Sequence, residues 1–259
     1  MDTVRINEKD NVCVDLKTGH KIALCYIEKG ADIIKYGYPI GCATENINEG
    51  DSVHSHNMKT KLGDILSYEY KPDFEALQEK EPFYINAFTR DNGDIGIRND
   101  IWIVPTVGCV NSIGKQLSEK TGAIYFSHPY GCSQLGDDMK ITQLILKGLI
   151  NHPNKGGVLV LGLGCENNNI TEMKKILGEW NEKRVEFLSV QDCEDEISEG
   201  IRLIEELKEI ASKDERKPVP VSKLKIGLKC GGSDGFSGIT ANAVVGKVTD
   251  EICSMGGSA

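Results

Sequence analysis

The chain has 259 residues, a formal net charge of −9 and nine cysteines. That length buries roughly 70–75% of the unfolded surface, enough for one large or two modest domains. The acidic balance argues against sequence-independent binding to nucleic acid or an anionic membrane surface, and no apolar run reaches the ~20 residues of a membrane span.

The start, Met1-Asp2-Thr3-Val4-Arg5, carries no secretory leader pattern, so the chain reads as cytoplasmic. Residues 1–65 read as short strands broken by turns such as Lys17-Thr18-Gly19 and Asn48-Glu49-Gly50-Asp51, a small all-β module. Within it, His54 and His56 are two apart, which on a strand places both imidazoles on one face. They are half of a metal or carboxylate site there, or simply two exposed polar side chains. Residues 66–87 have charge, Pro72 and Pro82 without periodicity and read as a linker.

From residue 88 the pattern is regular. Apolar strands at 101–107, 123–127, 157–163, 185–190 and 226–228 alternate with helical stretches at 110–120, 138–150, 169–180, 193–211 and 239–252. Five strand–helix alternations predict a parallel sheet covered on both faces, with 88–259 as one Rossmann-like α/β domain. Ligands of such sheets bind beyond the carboxyl ends of the strands.

Each of the five expected strand exits carries a cysteine in or just past its loop: Cys109, Cys132, Cys165, Cys193 and Cys230. No C-x-x-C pair occurs, which weakens a zinc ribbon or thioredoxin-type motif. Clustered thiolates beside a carboxylate and an imidazole suit iron, mononuclear or as an iron–sulfur centre, better than magnesium or calcium. Packing of a small hydrophobe at tight turns is the competing reading, and it is preferred for Cys13, Cys25, Cys42, Cys193 and Cys253. The fifth exit, Cys230-Gly231-Gly232-Ser233-Asp234-Gly235-Phe236-Ser237-Gly238, is a Gly-rich loop before a helix, a place suited to an anionic ligand. A dinucleotide site is poorly supported, because Gly162-Leu163-Gly164 has no third glycine at the required spacing.

Several of these stretches resemble one family. His54-x-His56-Asn57 is similar to the end of the SAF-type β-clip domain of the altronate/galactarate dehydratases. Arg90-Asp91-x-Gly93-x-x-Gly96-x-Arg98-Asn99, Thr106-Val107-x-Cys109, His128-x-x-Gly131-Cys132, Gly162-Leu163-Gly164-Cys165-Glu166 and the run from Cys230 to Asn242 resemble its later motifs, in the same order. Gly108 and Asp100 depart from the pattern, standing where a polar residue and an aromatic are expected. The resemblance covers about residue 35 to the end and implies the amino-terminal portion of a longer enzyme.

Members of that family dehydrate aldonate or aldarate sugar acids to 2-keto-3-deoxy acids with Fe²⁺ or Mn²⁺. The resemblance therefore implies Cys132, Cys165 and Cys230 as metal ligands or site thiols, and Glu166 or His128 as the acid–base group. Arg98, Ser233 and Asp234 would position the substrate, with contacts from His54, His56, Asn57, Asn99 and Asn242. The partners expected are a sugar acid and either further copies of the chain or a separate C-terminal subunit. The alternative is a non-catalytic sugar-acid-binding or assembly part of such an enzyme.

Overall fold

A computed structural model describes residues 2–61, 72, 76–229, 231 and 235–259. Cys230, Ser233 and Asp234 lie outside the described residues, as does most of the expected linker. The chain forms two compact units, one of Met1–Glu81 with Lys225–Ala259 and the other of Pro82–Leu224.

The first unit opens with seven short strands: β1 (Thr3–Val4), β2 (Val12–Asp15), β3 (Lys21–Ala23), β4 (Asp32–Lys35), β5 (Tyr38–Ala43), β6 (Ser52–Val53) and β7 (Met58–Lys59). They pair antiparallel in the orders β1-β2-β3-β6 and β4-β5-β7. Small and β-branched side chains fill the centre, among them Val12, Ala23, Ile27, Ile33, Ile47 and Val53. Asp10 holds two turns at once, because its carboxylate accepts from the backbone N–H groups of Asn7 (3.0 Å) and Gly37 (2.7 Å).

The second unit carries β8 (Tyr84–Thr89), β9 (Ile95–Gly96), β10 (Asp100–Pro105), α1 (Asn111–Thr121), β11 (Ile124–Tyr125), α2 (Gly136–Ile150), β12 (Lys155–Gly162), α3 (Ile170–Leu177), β13 (Val185–Ser189), α4 (Glu196–Ala211) and β14 (Lys217–Pro220). Its main sheet is wholly parallel in the order β11-β10-β12-β13. The strands are apolar along their length because both faces are covered. Ile101, Ile103, Leu159 and Leu161 pack with Leu117 of α1 and Ile204 and Leu207 of α4. Their alternate neighbours Trp102, Val104, Val158 and Val160 pack with Leu146 of α2 and Met173 of α3.

Three expectations are corrected. Residues 84–87, expected as the end of the linker, begin the strand Tyr84–Thr89, and 217–220 pair with them antiparallel instead of forming a loop. Pro218 and Pro220 read as loop residues, but β14 is the edge strand of the three-stranded sheet β14-β8-β9, where proline is tolerated. The fifth parallel strand does not form. Lys225 makes an isolated parallel bridge to Ser258, Ile226 N–H donates to Ser258 O at 2.9 Å, and Leu228 is 53% exposed. A four-residue stretch with Gly227 and flanking lysines has too little apolar area for a doubly covered position.

The segment after 225 instead belongs to the first unit, where α5 (Ala241–Ser254) follows the Gly-rich loop. A Cβ on Gly235 would run into the backbone of Gly19 in the β2–β3 turn, and one on Gly238 into the Tyr36 hydroxyl. Lys80 N–H donates to Ser254 O at 2.8 Å, and its ammonium lies 2.6 Å from Glu251 Oε1. Among the described residues, no helix is long and apolar enough to cross a membrane.

Gly96 has a Cβ direction that points straight at the carbonyl of Pro153. Gly96→Ala is expected to cost about 1–3 kcal/mol of stability by overpacking against backbone that cannot yield, read as a lower denaturant midpoint.

Candidate active site

The carboxyl ends of β10, β11, β12 and β13 open onto loops tied to each other by side-chain amides and one buried carboxylate. After β10, Asn111 grips the β11 loop twice: its Nδ2 donates to His128 O (2.9 Å) and its Oδ1 accepts from His128 N–H (3.1 Å). Gly108 N–H donates to Tyr130 O at 2.7 Å. A Cβ at Gly108 would sit 3.0 Å from Tyr130 O and 3.1 Å from His128 O. The loops approach too closely for the polar side chain expected there.

The β11 and β12 loops meet through Asn167, whose Nδ2 donates to Gln134 O (2.9 Å) and reaches Cys132 O (3.5 Å). Behind it, buried Gln143 of α2 donates to Asn168 Oδ1 at 3.0 Å. The β12 and β13 loops join where Gln191 N–H donates to Leu163 O at 3.0 Å. The Gln191 amide also lies 3.7 Å from Cys165 Sγ.

Glu166 is only 2% exposed. Its Oε1 accepts from Thr106 Oγ1 (2.7 Å) and Leu163 N–H (3.0 Å), and its Oε2 from Gly164 N–H (2.6 Å). Burial alone raises a carboxyl pKa, but the hydrogen bonds from Thr106 and the loop backbone outweigh it and hold the group below its ordinary value. Glu166 is therefore an anion at neutral pH, with its oxygens engaged in joining the β10 and β12 exits.

His128 is buried in a different way. Its Nε2 is enclosed and has no hydrogen-bond partner, while Nδ1 lies 3.0 Å from Tyr130 O and 3.1 Å from Tyr130 N. One backbone residue thus serves both neutral tautomers. With Nδ1 protonated, it donates to Tyr130 O and Nε2 keeps a lone pair. With Nε2 protonated, Nδ1 accepts from Tyr130 N–H. Burial pushes the imidazole pKa below its usual 6.5, against a smaller upward contribution from Tyr130. His128 also lines a mostly apolar cleft of about 150 Å³ with Pro105, Thr142 and Leu146.

Cys109, Cys132 and Cys165 are exposed thiols on these loops, and Cys193 is half-buried with its thiol donating to Ser189 O at 3.3 Å. Among the described residues, no three His, Cys, Asp or Glu side chains converge as a metal site. A polar cleft of about 540 Å³ lies past β12 and β13, lined by Gly164, Asn169, Thr171, Ser189, Gln191 and Cys193. Sequence reading missed Asn169, Thr171, Ser189 and Gln191, because single polar side chains past a strand form no motif until the fold groups them.

Other expected site residues lie elsewhere. Arg98 and Asn99 precede β10 at the amino edge of the sheet, six residues and about 20 Å of strand from the exits. Arg98 is exposed beside Asp100, and Asn99 Nδ2 donates to Ala211 O at 2.8 Å. In the first unit, 54–57 is a turn and not a strand, so the shared face expected for His54 and His56 is absent. His54 instead meets His20, ring centroids 5.7 Å apart. Asn57 is buried with its amide on backbone, accepting from His54 N–H (3.0 Å) and donating to Ser52 O (2.9 Å). Asn242 is exposed in the first turn of α5.

Comparison with known proteins supplies three matches along the chain. Residues 15–61 match the altronate/galactarate dehydratase SAF domain. Residues 87–212 match the second domain of D-galactarate dehydratase/altronate hydrolase, and 221–259 match the C-terminal domain of D-galactarate/altronate dehydratase. The chain is 50% identical over 267 residues to an altronate dehydratase of Bacillus subtilis, covering 98% of this chain and 53% of that protein. It is 45% identical over 256 residues to an altronate dehydratase of Escherichia coli, covering 94% and 52%. A (2R)-sulfolactate sulfo-lyase subunit beta of Chromohalobacter salexigens is 30% identical over 177 residues, covering 66% and 44%. The chain thus spans about half the length of the curated relatives it matches. The match from residue 221 also agrees with the structure in separating the Gly-rich loop from the parallel α/β unit.

Because folding holds the Glu166 carboxyl below its unfolded value near 4.5, its contribution to stability is full above that pH and is lost as the pH falls through the folded value. Glu166→Gln is expected to cost about 1–3 kcal/mol at pH 7. The difference from wild type should shrink on acidification, in denaturant titrations run from pH 7 to pH 3.

Proposed function

We propose that this chain, which belongs to the altronate/galactarate dehydratase family, carries the acid–base half of a hydro-lyase acting on a sugar acid. The substrate in this reading is an altronate-like aldonate or a galactarate-like aldarate, and the product a 2-keto-3-deoxy acid formed in the cytoplasm. The observation that carries it is the His128 ring, with an unpartnered Nε2 and both tautomers served by Tyr130.

Dehydration of a 2,3-dihydroxy acid removes the C2 proton, expels the C3 hydroxyl as water and leaves an enol that becomes the 2-keto acid. In the Nδ1-protonated tautomer, His128 Nε2 takes the C2 proton, and the imidazolium so formed returns that proton to the leaving hydroxyl, which departs as water. Glu166 has no proton to give at neutral pH, so its role is positional: it fixes Thr106 and the 163–166 loop. The Rossmann-like description of the parallel unit belongs to the same reading, supported by the strand order β11-β10-β12-β13 with helices on both faces.

Two thiols on neighbouring loops, Cys132 and Cys165, suit iron better than magnesium as ligands of Fe²⁺ or Mn²⁺, yet they are an incomplete set, and Cys230, the third cysteine expected, lies outside the described residues. Such a metal would act as a Lewis acid on the substrate carboxylate and hydroxyl. The alternative of an iron–sulfur cluster on the same cysteines differs in carrying acid-labile sulfide. A second reading has this chain bind the sugar acid and depend on a separate chain for turnover. It is favoured by the half-length coverage and by the relative that is itself one subunit of an enzyme.

Two measurements check this. With Fe²⁺ under anaerobic conditions, turnover on a panel of aldonates and aldarates supports the catalytic reading. Saturable binding without turnover supports the second, and neither outcome removes both. If turnover is found, His128→Gln should lower kcat by about 10²–10⁴, and wild-type kcat/KM should fall as the pH drops through an imidazole value below 6.5. Separately, Cys132→Ser and Cys165→Ser are each expected to lower bound iron; unchanged iron in both would refute the thiolate assignment.

A further inference from the structure

The amino edge of the parallel sheet, opposite the strand exits, holds a cleft of about 650 Å³ that the proposed reaction does not use. Arg90, Lys155 and Arg184 contribute three cations to its wall, with Trp180 and Asn181 beside them. One carboxylate answers two of these charges. Arg184 donates to Asp214 through Nη1 (2.9 Å) and Nη2 (2.6 Å), and Arg90 Nη1 lies 3.5 Å from Asp214 Oδ2. Other guanidinium N–H groups reach backbone: Arg90 donates to Pro153 O (2.7 Å) and Arg98 O (3.0 Å), and Arg184 to Gly156 O (2.8 Å).

Lys155 is different. It is the first residue of β12, half-buried, and among the described residues its ammonium meets neither an acceptor nor a carboxylate. A half-buried cation beside two arginines, with no counter-ion of its own, is an unfavourable arrangement in a folded chain. The rim does not relieve it. Asp91 is tied to Asn181 Nδ2 at 2.9 Å, and Glu179 is exposed to solvent. His152, on the same wall, is held below its ordinary pKa by burial and is neutral at pH 7. The wall thus carries three cations and the carboxylates Asp214, Asp91 and Glu179, none of which meets Lys155, around a space large enough for a small molecule.

We propose that this cleft is a second binding site, which takes the oxyanion group of a small metabolite, phosphate or carboxylate, on the Lys155 ammonium. The anion supplies the acceptors that Lys155 lacks. Proton linkage agrees with this assignment. Burial, then Arg90 and Arg184, lower the Lys155 pKa to about 8, so binding of an anion should be accompanied by proton uptake near that pH. The site is separate from the strand exits: Lys155 begins β12 and Gly162 ends it, roughly 23 Å apart by strand rise.

Isothermal titration calorimetry with inorganic phosphate and with malonate, at constant ionic strength, tests the site on the whole 259-residue chain. Saturable one-to-one binding of at least one probe at pH 7 is expected. Lys155→Met should weaken it at least tenfold, and Lys115→Met, on the exposed face of α1, should leave it unchanged. Binding to wild type should also weaken by about tenfold between pH 7 and pH 9, as the ammonium loses its proton, which requires no variant to fold. Phosphate alone, malonate alone or both binding would identify which oxyanion the site accepts. Absence of saturable binding by either probe, or equal binding by Lys155→Met, would overturn the proposal.

Discussion

Glu166 is an ion enclosed at the edge of a parallel sheet, and three donors aimed at it hold two strand exits together. Thr106 comes from the end of β10, whereas Leu163 and Gly164 come from the end of β12. A parallel ladder by itself leaves the loops beyond it free to diverge. A buried carboxylate cannot be left half-satisfied without a large desolvation cost, so the loops are pinned wherever it sits. The Asn111, Asn167 and Gln191 amides extend the same constraint to the β11 and β13 loops. The unpartnered Nε2 of His128 exists because this network fixes the ring through Tyr130 and offers nothing to its far side.

The opposite edge of the sheet is organised by a second ionic knot. Asp214 lies between Arg90 and Arg184, and the guanidinium groups reach on to carbonyls of Pro153, Gly156 and Arg98. The stretch from Arg90 to Asn99 is thereby a frame for the strand starts. Its arginine at 90 and its glycine at 96 have structural reasons to be what they are. The two edges use charge differently: at the carboxyl edge the anion is fully answered by neutral donors, whereas at the amino edge Lys155 has no partner among the described residues.

Within the first unit, the Gly-rich loop shows how a glycine pattern can arise from packing. Gly235 and Gly238 lie where the Gly19 turn and the Tyr36 hydroxyl leave no room for a side chain. A stretch that reads as an anion-binding turn between strand and helix thus has a second physical reason for its composition. The strand–loop–helix reading failed at its first step, since 225–228 lack the buried apolar area that a covered parallel strand requires.

Much of this was legible in the chain alone. Continuous apolar runs at 101–104 and 158–161 require cover on both faces, and that dictated parallel strands with flanking helices. Short strands punctuated by Gly and Asn turns marked the β module, and ordered motifs marked the family. What the residues could not disclose is anything that depends on which atoms meet. Whether His54 and His56 share a face hinges on a turn closed by Asn57, and whether Glu166 carries a proton hinges on three donors up to 60 residues away in sequence. Periodicity is a property of neighbours along the chain, whereas ionisation, charge balance and the end of the sheet on which a side chain emerges are set by neighbours in space.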